Sequence, residues 1–369
     1  MIEEISCYHV PWDDKDYFPA ASAWLFIKDD EGRIGIGEVS PVMDGLPAIG
    51  FVQKIAASLI GKDPLNAGLI HRTLSRNYAK LGPQGIVSSA LAAIDIALWD
   101  LKGKQLGQPV HQLLGGAARK AVPFYLSIGG LGPKPVDEVK AIVEAGMKYA
   151  PTMVKIRMEH PRHQRDLDVK TDLKKASLVR KIVGDDFPLA FDASNGYSRN
   201  AAYRAGETLG DLGYIWFEEP VDHLDLSSFE FLSRKLRIAI AAGEQSYTLQ
   251  DLLGLINAGI GILQPDIIKM GGFTGLAECA ALAAAHGCDL VPHQTQPGIG
   301  HAANLQFLAA QPDLPFPAEL NDPTDRQQRI FRDPLRPIAG HFQVRDLPGI
   351  GLEVDLEEFR RRAIQVDRS

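Results

Sequence analysis

The sequence predicts an α/β fold: a modified TIM (β/α) barrel carrying an N-terminal α+β capping domain that the C-terminal tail completes. Three observations lead there. From about Val122 onward, short apolar runs alternate with helix-length segments: VPFYLSI, MVKIRM, LAFDAS, YIWFEEP, IAIAAGEQ, ILQPDIIKM, CDLVPHQ and FPAEL. Eight such runs are what a (β/α)8 barrel writes. Six ionisable residues, Asp192, Glu218, Glu244, Asp266, His293 and Glu319, recur at intervals of 22 to 27 residues, each at the end of an apolar run. The stretches before and after this region lack its grammar. An open doubly wound sheet would need a Gly-rich first turn, and no GxGxxG follows a strand here.

The N-terminal part begins with a hairpin signal, SAWLFIKDD and RIGIGEVSP around the turn at Glu31 and Gly32. IVSSALAAIDIALWDLKGKQLG then repeats apolar residues at helical spacing, with Gly103 and Gly107 near its end. The capping domain is placed at 1–118, the barrel at 119–328 and the returning segment at 329–369. That segment reads as strand (HFQVRD), turn (LPGIG) and short helix (LEEFRRRAIQ), and is expected to pack on the N-terminal module.

Lys plus Arg total 39 and Asp plus Glu 46, a net charge of −7, which gives no sign of a nucleic-acid-binding surface. Cys7, Cys279 and Cys288 show no CxxC spacing, so neither a disulfide framework nor a zinc site is suggested. The acids in MIEEISCYHV do not fit a signal peptide, and no apolar stretch is long enough to span a bilayer. The expectation is a soluble cytoplasmic protein with no nucleic-acid or membrane partner.

In a parallel barrel all strand ends of one sense share a face, and that face holds the active site. GYIWFEEP ends an apolar run in two carboxylates. A strand stopping at the surface would account for them singly, but not for six ionisable groups in register. Asp192, Glu218 and Glu244, on successive strands, offer hard oxygen ligands suited to Mg²⁺. Without a cation their charges would repel. Glu219, one residue on, points to the opposite side of the strand. Lys155 and Arg157 lie two apart, hence on one face, and aim into the polar mouth. Asp266 and His293 on adjacent strand ends suit a carboxylate-oriented general base. Glu319 closes the ring as a potential proton donor to a developing oxyanion.

The ordered set of motifs resembles the enolase superfamily, and within it the mandelate racemase subgroup. It runs through GIGE, ALWDLKGK, the KxR strand, DAS, FEEP, GEQ, QPDIIKMGGFTG, VPHQTQPGIGHAANL and PGIGLEVD, nearly the whole chain. The resemblance implies a Mg²⁺-bound carboxylate substrate, loss of its α-proton and an ene-diolate. It makes Asp192, Glu218 and Glu244 the metal ligands, Asp266 and His293 the base dyad, Lys155 a carboxylate contact and Glu319 a hydrogen-bonding acid. It also implies that loops 12–18 and 41–47 lid the pocket, and a homo-oligomer is expected. Two departures matter. The second lysine of the family's KxK is Arg157, which does not deprotonate. The family's DxN becomes Asp192-x-Ser194, with Asn195 one step late, so Ser194 and Asn195 are both candidate substrate contacts. Lys269, where a sister subgroup carries its base, is expected to support substrate binding. A racemase needs bases on both faces and a dehydratase can work with one. The favoured expectation is therefore sugar-acid dehydration, ahead of a racemase or epimerase and of a non-catalytic sugar-acid-binding barrel.

Overall fold

The structure, a computed structural model, describes residues 1–12, 20–161, 163–321 and 328–366. Strand β1 (Ile2–Pro11) pairs antiparallel with β2 (Ala21–Asp29), which turns into β3 (Ile34–Glu38), as the hairpin signal predicts. Asp29 holds the turn, accepting from the backbone N–H groups of Glu31 (3.1 Å) and Arg33 (2.8 Å). Helices α1 (Leu46–Ile55), α2 (Ala67–Asn77), α3 (Ile86–Leu106) and α4 (Val110–Leu113) follow. Helix α3 lies directly on β3: a Cβ at Gly35 or Gly37 would stand 2.1 Å from a carbonyl oxygen of that helix. Only glycine allows this approach.

The eight apolar runs form eight strands: β4 (Ala121–Ile128), β5 (Met153–Arg157), β6 (Leu189–Asp192), β7 (Trp216–Glu218), β8 (Ala239–Ala242), β9 (Ile262–Leu263), β10 (Asp289–Leu290) and β11 (Ala318–Leu320). They pair in parallel in chain order from β4 to β10, and β11 returns to pair with β4. Seven helices connect them: α5 (Val136–Met147), α6 (Val169–Val183), α7 (Arg199–Asp211), α8 (Leu226–Lys235), α9 (Leu249–Asn257), α10 (Gly272–Ala285) and α11 (Ile299–Ala310). Among the described residues no α-helix lies between β11 and the tail strand at His341–Gln343, so the pattern is seven βα units and a final strand rather than eight. Thr274 of α10 donates to Asp95 of α3 through both its N–H (3.0 Å) and its hydroxyl (2.5 Å), joining barrel and cap.

The tail, expected on the N-terminal module, divides its attachment between barrel and cap. Its first strand, β12 (His341–Gln343), pairs antiparallel with β4 of the barrel, and Phe342 packs against Phe124. Helix α12 (Leu356–Arg362) and β13 (Ile364–Gln365) do reach the cap, where β13 extends the sheet beside β1. Phe359 sits among Tyr8, Trp24 and Phe26, with ring centroids 4.9 to 5.9 Å apart. A buried carboxylate fastens the seam: Asp100 of α3 accepts from Ile36 N and Ile350 N, both at 2.9 Å. Among the described residues no helix is long and apolar enough to cross a membrane.

Candidate active site

The barrel interior is built in layers by the two-residue period of its strands. One apolar layer gathers Tyr125, Met153, Ala190, Trp216, Ala241, Ile262 and Val291, one from each of seven consecutive strands or strand ends. Two residues further along the same strands stand Ser127, Lys155, Asp192, Glu218, Gly243, Gln264 and His293, so a polar layer lies directly on the apolar one. Glu319 of β11, the neighbour of β4, reaches it through Lys155 Nζ at 2.9 Å. One more step brings Arg157, Ser194 and Asp266 to the rim.

Lys155, fully buried, is the hub of this layer. Its Nζ lies 2.5 Å from Glu218 Oε1, 2.9 Å from Glu319 Oε1 and 4.0 Å from Asp192 Oδ2. Burial opposes its charge, but Glu218 and Glu319 outweigh burial and hold the ammonium well above its usual pKa. Glu218 also accepts from Trp216 Nε1 (3.0 Å) and Gln264 Nε2 (2.6 Å). Across the mouth His293 Nδ1 is 2.7 Å from Asp266 Oδ2, the backbone of the two residues forming a parallel bridge, and its Nε2 is 3.0 Å from Glu244 Oε2. Burial alone would favour the neutral ring. The charges of Glu244 and Glu319 and the bonds to Asp266 and Glu244 prevail and lift its pKa to about 10. Glu319, read from sequence as a potential proton donor, lies 2.9 Å from Lys155 Nζ. Although burial disfavours its charge, Lys155 and His293 bring its pKa down to about 2, and it accepts from Gln294 N at 3.0 Å.

Arg157 bonds Glu159 at 2.6 Å, and its charged form is further favoured despite burial by Glu159 and Asp192. Lys269 donates to the Glu244 carbonyl at 2.9 Å and stands 3.9 Å from Asp266. Ser194 N donates to Asp192 Oδ1 at 2.7 Å, so the serine shapes the turn beside that carboxylate. Asn195, a candidate substrate contact, has its side chain in a network with Glu219, Gln245 and His223 N, and its φ is 64°. Of the two segments expected to lid the pocket, 12–18 lies outside the described residues beyond Trp12. Segment 41–47 forms a turn with Val42 and Met43 exposed.

The donor set suits a hard dication. Asp192 and Glu218 are in register on adjacent strands, both buried, and Glu244 follows on the next. Burial first, and then the charge of Glu218, push the Asp192 pKa well above the usual carboxylate range, the mark of a layer short of positive charge. Yet among the described residues no three such side chains converge on one point. Glu218 leans to Lys155 and Glu244 to His293, so metal ligation requires these side chains to turn towards Asp192.

Sequence reasoning passed over Gln264, Ser127 and Trp216. Counting two residues down each strand from the ionisable set would have found Gln264 and Trp216, since both sit in the inward register.

Comparison with known proteins places these features. Residues 20–115 match the mandelate racemase / muconate lactonizing enzyme N-terminal domain, and residues 135–359 match the enolase C-terminal domain-like family. A D-galactarolactone cycloisomerase from Agrobacterium fabrum is 34% identical over 352 residues, covering 90% of each chain. An L-talarate/galactarate dehydratase from Salmonella typhimurium is 31% identical over 340 residues, 91% of this chain and 80% of that one. Among solved structures, a mandelate racemase/muconate lactonizing protein from Paracoccus denitrificans, complexed with magnesium, is 44% identical with a TM-score of 0.96. That alignment covers 100% of this chain and 99% of the other.

Proposed function

The chain belongs to the mandelate racemase/muconate lactonizing enzyme family of the enolase superfamily, and on that premise we propose that it dehydrates a sugar acid to a 2-keto-3-deoxy acid. In this reading Asp192, Glu218 and Glu244 hold Mg²⁺, which when bound supplies positive charge for the anion that loss of the α-proton creates. Lys155 binds the substrate carboxylate. His293, oriented by Asp266, takes the α-proton and returns it to the departing β-hydroxyl, which leaves as water. Glu244 on Nε2 favours the charged ring, and to take the proton the ring must be neutral with Nε2 free of Glu244. Lys269 steadies the Glu244 turn, Glu319 anchors Lys155, and Ser194 sets the Asp192 turn. The domain limits 1–118, 119–328 and 329–369, closure by segments 12–18 and 41–47, and a homo-oligomeric assembly belong to the same reading.

One observation carries it: among the described residues, the mouth's acid–base pair is His293 on Asp266, while the second family lysine is replaced by an arginine, which stays charged. One-sided acid–base chemistry suffices for β-elimination. The cycloisomerase relatives favour a second reading, ring opening of a sugar lactone or anhydro acid. The two share the α-proton step and differ in mass balance, since dehydration loses water and isomerisation does not. A panel of aldonic and aldaric acids and their lactones, incubated with Mg²⁺ and followed by mass spectrometry, decides between them. Product lighter by one water from an open-chain acid is the expected result, and product of unchanged mass, or none, overturns it. Separately, Glu218→Gln should lose Mg²⁺ affinity while the barrel stays folded, and unchanged binding would remove the metal assignment.

A further inference from the structure

Behind the three carboxylates a second ring of side chains joins the loops that carry them. Asn195, Glu219 and Gln245 follow Asp192, Glu218 and Glu244 by three, one and one residues. Asn195 Nδ2 and Gln245 Nε2 both donate to Oε2 of Glu219, the second at 2.7 Å, and Gln245 Nε2 is 3.2 Å from Asn195 Oδ1. His223 N donates to the same Asn195 oxygen at 3.0 Å. The backbone ties the same three loops, Asn195 N donating to Glu219 O (2.8 Å) and Glu219 N to Ala241 O (3.0 Å).

The ring occupies a strained place. Ser194, Asn195 and Glu219 have φ of 47°, 64° and 36°, values that side-chain-bearing residues rarely adopt. Such conformations persist only where the surroundings over-determine them, and they cluster at functional sites. Both amides turn their NH₂ groups to Glu219 Oε2, and Asn195 Oδ1 accepts from His223 N. Each amide orientation is thereby set by one buried acid.

We infer that Glu219, with Asn195 and Gln245, is the positioning unit of the metal-binding triad. It fixes the three strand-end turns that carry Asp192, Glu218 and Glu244. It acts through those carboxylates and touches no substrate; the inference rests on their assignment as Mg²⁺ ligands.

Asn195→Asp keeps shape and tolerates the positive φ, but removes the donor to Glu219 Oε2. Calorimetric titration with Mg²⁺ alone should show affinity weakened by about 10–100-fold, the usual effect of losing a ligand's supporting partner. The double variant Asn195→Asp/Glu219→Gln exchanges donor and acceptor and should regain most of that affinity. A ring that only stabilises the barrel would lower the melting temperature without changing the Mg²⁺ Kd. Wild-type affinity in Asn195→Asp, or a loss that the double variant leaves unrepaired, overturns the inference. Should Asn195→Asp not fold, Glu219→Gln, of equal volume, is titrated instead, and unchanged affinity there overturns it too. Glu218→Gln separates the two levels. If it loses Mg²⁺ while the ring variants bind normally, only the positioning role falls; if it binds normally, the triad assignment falls first.

Discussion

At the residue scale His293 is the centre of the proposed chemistry, and its neighbours decide what it can do. Asp266 holds Nδ1 at 2.7 Å, which orients the ring, and Glu244 holds Nε2 at 3.0 Å, which charges it. His293→Asn should lower turnover by about 10²–10⁴-fold, the contribution of a positioned general base. Exchange of the substrate α-proton in D₂O, followed by NMR, should stop in the same variant. If both enantiomers of a substrate exchange in the wild type and His293→Asn abolishes only one, a second base exists and dehydration gives way to racemisation. Arg157→Lys should leave one-sided chemistry intact. The motifs made His293 and Asp266 legible as a pair. They could not show Glu244 on the other nitrogen, because that contact depends on how two loops face each other across the barrel.

At the element scale two local arrangements carry pH dependence of stability. Asp29 at the β2–β3 turn has its pKa brought down to about 2: burial opposes this, but bonds from Gln105, Arg33 and Glu31 outweigh it. Its contribution is present above the ordinary carboxylate pKa of about 4 and is lost as pH falls through about 2. Asp29→Asn should cost about 1–2 kcal/mol at neutral pH by denaturant titration, the value of a few such hydrogen bonds discounted for solvent. His301 on α11 is the opposite type of group. It is buried edge-on against Phe342, its Nε2 has no hydrogen-bond partner among the described residues, and burial lowers its pKa to about 4. Between about pH 6.5 and 4 the unfolded chain binds a proton that the folded one refuses, so stability falls on acidification through that window. The wild type should lose up to about 3 kcal/mol more than His301→Gln across it, and parallel curves for the two proteins would refute the assignment.

At the scale of the whole molecule the tail works as a clamp, one strand on the barrel and one on the cap sheet. Phe359 is its anchor, stacked at 4.9 Å on Phe26 and 5.9 Å from Trp24. Phe359→Ala should cost about 3–5 kcal/mol, as large-to-small changes of buried aromatics do, and should make residues beyond 346 the first site of limited proteolysis. A variant as stable and as resistant as the wild type would show that the clamp holds nothing.

The sequence by itself determined the barrel, its eight strands and the ionisable residue at each of six strand ends. Hydrophobic period and spacing are local, and a parallel barrel converts one strand end per unit into one mouth. It also set the hairpin, through Asp29 and its turn, and the loss of a second lysine at Arg157. Only the tertiary structure decided that HFQVRD joins the barrel, since a short strand does not carry the address of its partner. It alone closed the ring around Glu219 and drew Gln264 onto Glu218, because a polar side chain gains its role from groups tens of residues away, and burial determines the strength of what they exchange.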